Sequence, residues 1–302
     1  MSRAIVLAAP AKINLSLEVV GRRDDGYHEL RSIFATVDLA DRVRVSEART
    51  LDVRIRPDVA APAGLDQATR AVQRLAEAAG RPPAAHVRIR KRIPVAAGLG
   101  GGSSDAGAVL CGLAALWGVG GDLGPVAAAI GSDVPFFVSG APYAAVSGRG
   151  EAVRALVPPR VPLWAVLVRV GARVPTPAVF AALRAEEWSD GAGTAQLAAA
   201  FAGGTIEPAL LRARARNGLL AAAERVCPPI ADARALAEGT GIALSLSGSG
   251  PTLFRVANDR ADALRIARLL RRRGLAARAH LLGVPLFPGN ERALSLYAEV
   301  DE

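Results

Sequence analysis

The sequence predicts a protein of the α+β or α/β class, because strand-like and helix-like segments are mixed in both halves of the chain. Its 302 residues are enough for two domains or one large domain. With 51% hydrophobic and 22% charged residues, the chain can build ordinary cores and is not of the disordered class. A proline-rich stretch at 158–162 precedes the strand-like residues 163–170, so we predict one domain over residues 1–158 and a second over 159–302.

The predicted elements follow from hydrophobic periodicity and from the residues that interrupt it. Apolar alternation indicates strands, helical spacing indicates helices, and glycine or proline indicates where an element ends. In the first half, strands are predicted at 5–20 (interrupted at Pro10), 30–45 and 86–93, and helices at 66–79 and 104–117. In the second half, strands are predicted at 163–170 and on both sides of a glycine-rich turn at 247–250, with a helix at 260–273.

Charge and cysteine content exclude some classes of protein. Basic residues exceed acidic ones by 37 − 28 = +9, a balance that suits nucleic acid, an anionic membrane or a phosphorylated small molecule. Because 35 of the 37 are arginines, the two lysines, Lys12 and Lys91, are the more informative cations. Two cysteines exclude a disulfide framework, and no apolar run is long enough to span a membrane. We expect a cytoplasmic globular protein with neither a nucleic-acid nor a membrane partner.

Residues 94–105 give the strongest local signal. A predicted strand enters this segment, four of the five residues at 98–102 are glycines, and a predicted helix follows. Glycines let backbone N–H groups approach an anion closely, and the start of a helix attracts negative charge. Ser103 or Ser104 is expected to cap the helix or to turn a hydroxyl toward phosphate or Mg²⁺. The segment matches neither a Walker loop nor a dinucleotide fingerprint, so it predicts another kind of phosphate loop, the alternative being a flexible connector.

Two isolated charges lie in otherwise apolar segments. By alternation Lys12 shares a strand face with Asn14, and Asp133 stands between Gly131 and the apolar residues 134–137. The alternatives are a sheet edge for the lysine and a helix cap for the aspartate. If the two met beside a phosphate loop, the aspartate would take a proton from a hydroxyl and the lysine would offset phosphoryl charge. The sequence alone does not bring them together.

Three aromatic side chains are candidates for binding a planar base. Tyr27 and His28 follow a polar turn, and Phe180 lies in the second half of the chain. Aromatic rings that flank a base contribute about 1–3 kcal/mol by stacking. The alternative is that Phe180 belongs to a core and Tyr27 to the turn.

Three blocks of the chain resemble, in order, the three motifs of the GHMP kinase superfamily. They are PAKINL at 10–15, the glycine-rich segment at 94–106 and LSGSGP at 246–251. Two further blocks, GYHEL at 26–30 and PTP at 175–177, are similar to the branch that phosphorylates a cytidine-diphosphate-linked methylerythritol. Galactokinases, homoserine kinases and mevalonate kinases share the glycine loop but not the Gly-Tyr-His block. The motifs are spread over residues 10–254, so the resemblance covers most of the chain.

The resemblance implies an α+β fold of two domains with the site in the cleft between them. The first domain would be ribosomal-S5-domain-2-like and bind ATP, and the second would be ferredoxin-like. The implied reaction is ATP-dependent phosphorylation of the substrate's 2-hydroxyl in non-mevalonate isoprenoid synthesis. Mg²⁺ is expected with the ATP, without a dedicated metal site in the protein, and the chain is expected to be a monomer or a weak homodimer.

The resemblance also assigns roles to individual residues. Asp133 matches the catalytic base, and Lys12 matches its lysine partner. Positions matched to the ATP site are Pro94, Val95, Ala96, Ala97, Gly98, Leu99, Gly100, Gly101, Gly102, Ser103, Ser104, Gly248 and Ser249. Positions matched to the substrate site are Tyr27 and Phe180, which would sandwich the cytosine, His28, which would hydrogen-bond it, and Asn14 and Thr176, which would lie near the methylerythritol.

Three positions depart from the family pattern. Asp66 stands where the helix usually begins with Asn-Leu, and it is assigned no role. Residues 216–219, Arg-Asn-Gly-Leu, replace the usual Asn-Asp-Leu, which leaves the support of the following helix open. Ser132 replaces a common alanine. The tail at 285–302 resembles no part of the family pattern, and we predict no role for it.

Three other functions remain open from the sequence. A kinase for another small alcohol would share the glycine loop but would not need the Gly-Tyr-His block. A basic RNA-binding module would account for the charge of +9, although the arginines are dispersed. An inactive nucleotide sensor would keep the loop, although it would not need Lys12 and Asp133.

Overall fold

The computed structural model describes residues 3–57, 62–204 and 206–286, without the side chains of 62–66. Within these ranges the strands form a six-stranded sheet from residues 4–155 and a four-stranded sheet from residues 164–281. Helices pack on both sheets, which makes the fold α+β. None of these described helices is both long and apolar enough to cross a membrane. Residue 158 lies in the connection between the sheets, and the division into domains there stays a prediction.

The first sheet is built on two long antiparallel strands, one central and one at the edge. Its strands are β1 (Ala4–Arg22), β2 (His28–Glu47), β3 (Asp52–Arg56), β4 (Ala85–Arg90), β5 (Tyr143–Gly148) and β6 (Ala152–Ala155). The order is β3-β4-β2-β5-β6, with β1 paired along β2. Only β3 and β4 among these pairs are parallel, and helix α1 (Pro62–Ala78) connects them.

Strand β1 does not break at Pro10, so that part of the prediction is wrong. The register shifts between Pro10 and Ala11 instead, and pairing with β2 continues. A proline is tolerated there because β1 has one strand partner in the sheet and the missing N–H falls at a bulge. The strand therefore carries Lys12 and Asn14 in one continuous element.

The remaining helices of the first half pack against this sheet. They are α2 (Gly101–Trp117), α3 (Gly124–Ala128) and α4 (Val134–Val138). Helix α2 begins three residues before the predicted Ser104. Leu110 and Leu113 of α2 are fully buried in a core with Val43 and Val87 of the sheet, as expected for a helix that is apolar on most sides.

The second sheet has the strand order of a ferredoxin-like domain. Its strands are β7 (Trp164–Arg169), β8 (Ser245–Leu246), β9 (Leu253–Ala257) and β10 (Ala276–Leu281), in the antiparallel order β10-β7-β9-β8. Its helices are α5 (Thr176–Ala181), α6 (Ala192–Ala202), α7 (Pro208–Arg214), α8 (Leu220–Val226), α9 (Pro229–Glu238) and α10 (Arg260–Arg272). The prediction of α10 is confirmed, with Asp259 as its N-cap and a basic last turn that suits the helix dipole.

Two segments connect the halves. Strand β1 contributes Leu17 and Val19 to the core of the second half. After β10 the chain returns to the first sheet, where the Thr36 hydroxyl donates to the Val284 carbonyl at 2.6 Å. Leu286 then packs on the aromatic cluster of Phe34, Phe136 and Phe137. Residues 287–302 of the tail lie outside the described part of the chain.

Candidate active site

The glycine loop at 94–100 leads into α2 through left-handed glycines. Gly98 and Gly100 have φ of +72° and +68°, and Gly100 is the N-cap of the helix. No described side chain caps α2, so the first alternative for Ser103 and Ser104, a helix cap, is wrong, and the second, a hydroxyl turned toward phosphate or Mg²⁺, stays a prediction. Both serines lie in the first turn, because a glycine takes the cap position. The N–H groups of residues 101–103 are therefore left for a ligand, whereas the Ser104 N–H donates to the Gly100 carbonyl at 2.9 Å.

The loop packs directly on Lys12. The backbone N–H of Lys12 donates to the Leu99 carbonyl at 2.9 Å. A Cβ added to Gly100 would lie 3.0 Å from Lys12 Cγ and 3.2 Å from Phe137 Cζ. Only glycine combines this φ with so close an approach, which explains its place in the motif.

On its other side the loop packs on the turn between β8 and β9. The Ser247 hydroxyl donates to the Gly98 carbonyl at 2.9 Å, and the Thr252 N–H donates to the Ala97 carbonyl at 3.3 Å. A Cβ on Gly98 would lie 2.3 Å from the Ser247 carbonyl oxygen. The three sequence blocks at 10–15, 94–106 and 246–251 thus meet at one place.

Lys12 and Asp133 come together beside this loop. Lys12 Nζ lies 3.3 Å from Asp133 Oδ2, and the two side chains are 5% and 30% exposed. Asp133 occupies the N-cap position of α4, but within the described residues its side chain makes no capping hydrogen bond. The helix-cap alternative is therefore wrong for this carboxylate. A buried ammonium facing a partly open carboxylate can hold an acceptor hydroxyl and a phosphoryl group between them.

Neighbouring side chains fix the position of Lys12. Its ammonium donates to Asn14 Oδ1 at 2.9 Å and lies 4.2 Å from the centroid of the Phe34 ring. Asn14 in turn donates to the Ser32 hydroxyl at 2.9 Å. Asn14 is thus beside Lys12, as alternation along the strand predicts, and it orients the lysine.

The aromatic residues gather at the start of β2. His28 stacks on Phe180 with ring centroids 5.0 Å apart, whereas Tyr27 is 53% exposed and lies under the Arg149 guanidinium. Phe180 also packs against the core of the second half. Burial, with the charge of Arg22, lowers the pKa of His28, so its ring is neutral at pH 7 and offers one donor and one acceptor. The sandwich of Tyr27 and Phe180 around a base stays a prediction.

Two further contacts tie the second half to the site. The Thr176 hydroxyl lies 2.8 Å from that of Ser249, so the first residue of α5 contacts the Gly248–Ser249 turn. Asn217 donates to the carbonyls of Leu246 and Gly248 and accepts from the Leu219 N–H at 2.8 Å. Asn217 therefore supports both the turn and the start of α8. Sequence reasoning missed this role, and the departure at 216–219 was its only signal.

A second buried cluster lies behind the loop. Lys91 Nζ lies 2.5 Å from Asp41 Oδ2 and 2.7 Å from Asp105 Oδ2, and both carboxylates are fully buried. Burial raises the pKa of Asp105 to about 7. Burial also opposes the charge on Lys91, but attraction by Asp105 and Asp41 outweighs it and raises the pKa of the lysine. No sequence signal singled out Asp41, since the extended segment 30–45 also carries Asp38.

The structure bears on the expected metal in two ways. Among the described residues no group of three His, Cys, Asp or Glu side chains could hold a metal ion. The Ser104 hydroxyl, in the first turn of α2, is buried and has no partner among the same residues. A phosphate oxygen or its Mg²⁺ would give that hydroxyl a partner. The side chain of Asp66, the departure noted at the start of α1, lies outside the described part of the structure.

Comparison with known proteins agrees with this geometry. Residues 66–141 match the family described as GHMP kinases N terminal domain, and residues 201–275 match that described as GHMP kinases C terminal. The chain belongs to the GHMP kinase superfamily.

Relatives that match almost the whole length of the chain identify a narrower family within this superfamily. It is 38% identical over 278 residues to the 4-diphosphocytidyl-2-C-methyl-D-erythritol kinase of Dehalococcoides mccartyi, covering 89% of this chain and 95% of the relative. The Thermus thermophilus kinase of the same name is 40% identical over 270 residues, with 89% and 93% covered. Within the superfamily, the chain is a member of the 4-diphosphocytidyl-2-C-methyl-D-erythritol kinase family.

Solved structures agree with both assignments. A crystal structure of 4-(cytidine 5′-diphospho)-2C-methyl-D-erythritol kinase has a TM-score of 0.73 at 37% identity, with 94% of this chain and 100% of that chain covered. Homoserine kinase from Cytophaga hutchinsonii has a TM-score of 0.72 at 18% identity, with 94% and 95% covered. The second likeness shows a shared fold alone.

Proposed function

We propose that this protein transfers the γ-phosphoryl group of ATP to the 2-hydroxyl of 4-diphosphocytidyl-2-C-methyl-D-erythritol. The products are the 2-phosphate and ADP, in the non-mevalonate synthesis of isoprenoid precursors. The observation that carries the proposal is the Lys12–Asp133 pair at 3.3 Å, which lies against the glycine loop of this chain.

In this reaction Asp133 is the general base. As the 2-hydroxyl oxygen bonds to the γ-phosphorus, its proton passes to the Asp133 carboxylate and the bond to the oxygen bridging the β- and γ-phosphorus breaks. A placed base of this kind contributes about 10²–10⁴-fold to the rate. Lys12, held by Asn14 and Phe34, faces this carboxylate and offsets charge on the phosphoryl group.

The glycine loop is proposed to hold the ATP phosphates. The N–H groups of the first turn of α2 would donate to them, with Gly248 and Ser249 on the opposite wall. Mg²⁺ would come bound to the phosphates, since such ions are held by few protein ligands, and it would neutralise their charge. Ser104, with its unpartnered hydroxyl, is the proposed protein contact.

The other end of the substrate is proposed to lie at the start of β2. Tyr27 and Phe180 would stack on the cytosine, and neutral His28 would hydrogen-bond its edge. Asn14 and Thr176 would contact the methylerythritol, beside Lys12 and the Ser249 turn respectively. We further propose a cytoplasmic monomer or weak homodimer that binds this small molecule and not nucleic acid or membrane.

The test is substrate-dependent ADP release with ATP and Mg²⁺, measured for the wild type and for Asp133→Ala and Asp133→Asn. We expect wild-type turnover and a fall in kcat of about 10²–10⁴-fold in both variants. Asp24→Asn is the control, because Asp24 is an exposed carboxylate of the same half. Full activity in Asp133→Ala would show that Asp133 is not the general base. No release from the folded wild type would contradict the substrate, and a panel of other alcohols, homoserine included, would identify a different kinase.

A further inference from the structure

The turn between β5 and β6 lies beside the aromatic residues. Gly148, at its start, pairs in register with Leu30 of β2. Its N–H donates to Glu29 Oε1 at 3.0 Å. The turn 148–150 is therefore held next to Tyr27 and His28, at the proposed cytosine end of the site.

The far side of the same turn faces the proposed base. Gly150 has a φ of +120°, and a Cβ added there would lie 3.5 Å from Asp133 Oδ1 and 3.3 Å from Ser132 Cβ. The turn thus touches the residues proposed for both ends of the substrate. Arg149 is the residue at its centre.

The Arg149 guanidinium is available to an anion. Its carbon lies 4.9 Å from the centroid of the Tyr27 ring. Its closest carboxylate oxygen, Glu151 Oε1, is 3.9 Å from Nε, and the side chain is 31% exposed. No hydrogen bond from this guanidinium is found within the described part of the chain, so its N–H donors can take a phosphate with two parallel bonds.

Two neighbouring cations, Lys12 and Arg23, are already engaged. Lys12 faces Asp133 and donates to Asn14. Arg23 donates to Glu29 at 2.7 Å and to Asp25 at 3.2 Å. The proposed substrate carries a diphosphate between its cytidine and its methylerythritol, and that dianion must lie between Tyr27 and Asp133.

We propose that Arg149 binds the diphosphate of the substrate and thereby selects a nucleoside diphosphate conjugate over an uncharged nucleoside. The inference rests on the proposed function, since it assumes that cytosine and hydroxyl occupy the two ends of the site. A guanidinium held over the Tyr27 ring is well suited to binding a diphosphate. Its contact with the ring fixes its position and leaves its N–H groups free to donate.

The experiment compares two probes, cytidine and cytidine 5′-diphosphate, by calorimetric titration. ADP with Mg²⁺ is kept saturating so that the glycine loop is filled and neither probe binds there. The proteins are the wild type, Arg149→Gln, Arg149→Lys and the control Arg154→Gln, an exposed arginine of β6 in the same hairpin.

We expect the wild type to bind cytidine diphosphate more tightly than cytidine. In Arg149→Gln the affinity for the diphosphate should fall by about 10- to 150-fold, the effect of losing charge-assisted hydrogen bonds, while that for cytidine stays unchanged. The affinity of Arg149→Lys for the diphosphate should lie between those of the wild type and Arg149→Gln, because a lysine keeps the charge but lacks the planar set of N–H donors. Arg154→Gln should match the wild type.

Other outcomes would overturn the inference. Equal losses for both probes in Arg149→Gln would mean that the arginine only orders Tyr27. An unchanged affinity for the diphosphate, or a wild type that does not prefer it to cytidine, would mean that Arg149 does not bind it. These titrations need no turnover, so their failure is distinguishable from an absence of ADP release with the complete substrate.

Discussion

The two lysines of this protein lie in similar surroundings and differ in one respect that separates their roles. Lys12 and Lys91 have side chains 5% and 8% exposed, and each faces an aspartate. The partner of Lys12, Asp133, is 30% exposed, whereas Asp41 and Asp105 beside Lys91 are fully buried. An open carboxylate can meet a substrate, and a closed cluster can only hold the protein together. Burial of the carboxylate, more than that of the lysine, distinguishes the two sites.

Both lysines adjoin the start of α2. The stem of Lys12 lies against Gly100, and Lys91 Nζ would be 3.3 Å from a Cβ on Gly101. Asp105 belongs to α2, and the second oxygen of Asp41 accepts from the N–H groups of Arg92 and Ile93. The Lys91 cluster therefore fastens α2 to β2 and to the end of β4. Lys12 contacts the preceding glycine of the same loop and faces the partly exposed Asp133.

Of the two lysine replacements, Lys12→Met is expected to have the larger effect on activity. Removing one preorganised cation from the site should lower kcat by about 10²–10³-fold in the ADP-release assay. Stability should change less than in Lys91→Met, because the Asp133 carboxylate can be hydrated where it is exposed. A wild-type kcat in Lys12→Met would contradict this distinction between the two lysines, since the Lys12–Asp133 pair would then have no catalytic role.

The largest effect on stability is expected from Lys91→Met. Removing the cation leaves the buried pair of Asp41 and Asp105 without the ammonium that balances its charge, which should cost about 3–5 kcal/mol in the free energy of unfolding. Urea denaturation at pH 7 measures this loss. Arg54→Met is the control, because Arg54 is 62% exposed in its pair with Asp52, and exposed pairs contribute about 0–1 kcal/mol. Unchanged stability together with a loss of kcat equal to that of Lys12→Met would show that the closed cluster is catalytic as well.

A smaller effect is expected from Asp105→Asn on the pH dependence of stability. The pKa of Asp105 is raised from an ordinary 3.8 to about 7, so between these values the folded protein holds a proton that the unfolded chain has released. This contribution to stability is therefore complete below about pH 4 and is lost as the pH rises through about 7. Asp105→Asn should flatten that part of the curve, measured by urea denaturation from pH 4.5 to 7.5. An unchanged slope, equal to that of the control Asp24→Asn, would mean that Asp105 does not hold this proton.

Much of the fold could be predicted because local patterns and long-range packing agree. The alternation at 86–93 and the helical spacing at 260–273 describe β4 and α10 to within a few residues. The glycine loop was equally clear, since several glycines between a strand and a helix have few other structural explanations. Pro10 misled the prediction because a bulge in an edge strand tolerates what a central strand does not.

The meeting of the site residues could not be predicted from patterns alone. Lys12 and Asp133 are each single charges in apolar segments, and only the packing of α4 against α2 and against Phe34 of β2 brings them within 3.3 Å. The family resemblance supplied that pairing in advance. Neither source assigned a role to Asn217 or Asp41, because each acts through backbone groups of distant segments that no local spacing encodes.

The return of the chain after β10 has a consequence during protein synthesis. Thr36 and Val284, which are hydrogen-bonded in the folded protein, are 248 positions apart, so about 12–50 s separate their addition at roughly 5–20 residues per second. Throughout that interval Leu286 has not been made, and the aromatic cluster behind Lys12 has no cover from it. On the ribosome the first half of the protein therefore emerges with an apolar face that stays without the cover of Leu286 until that residue has been added.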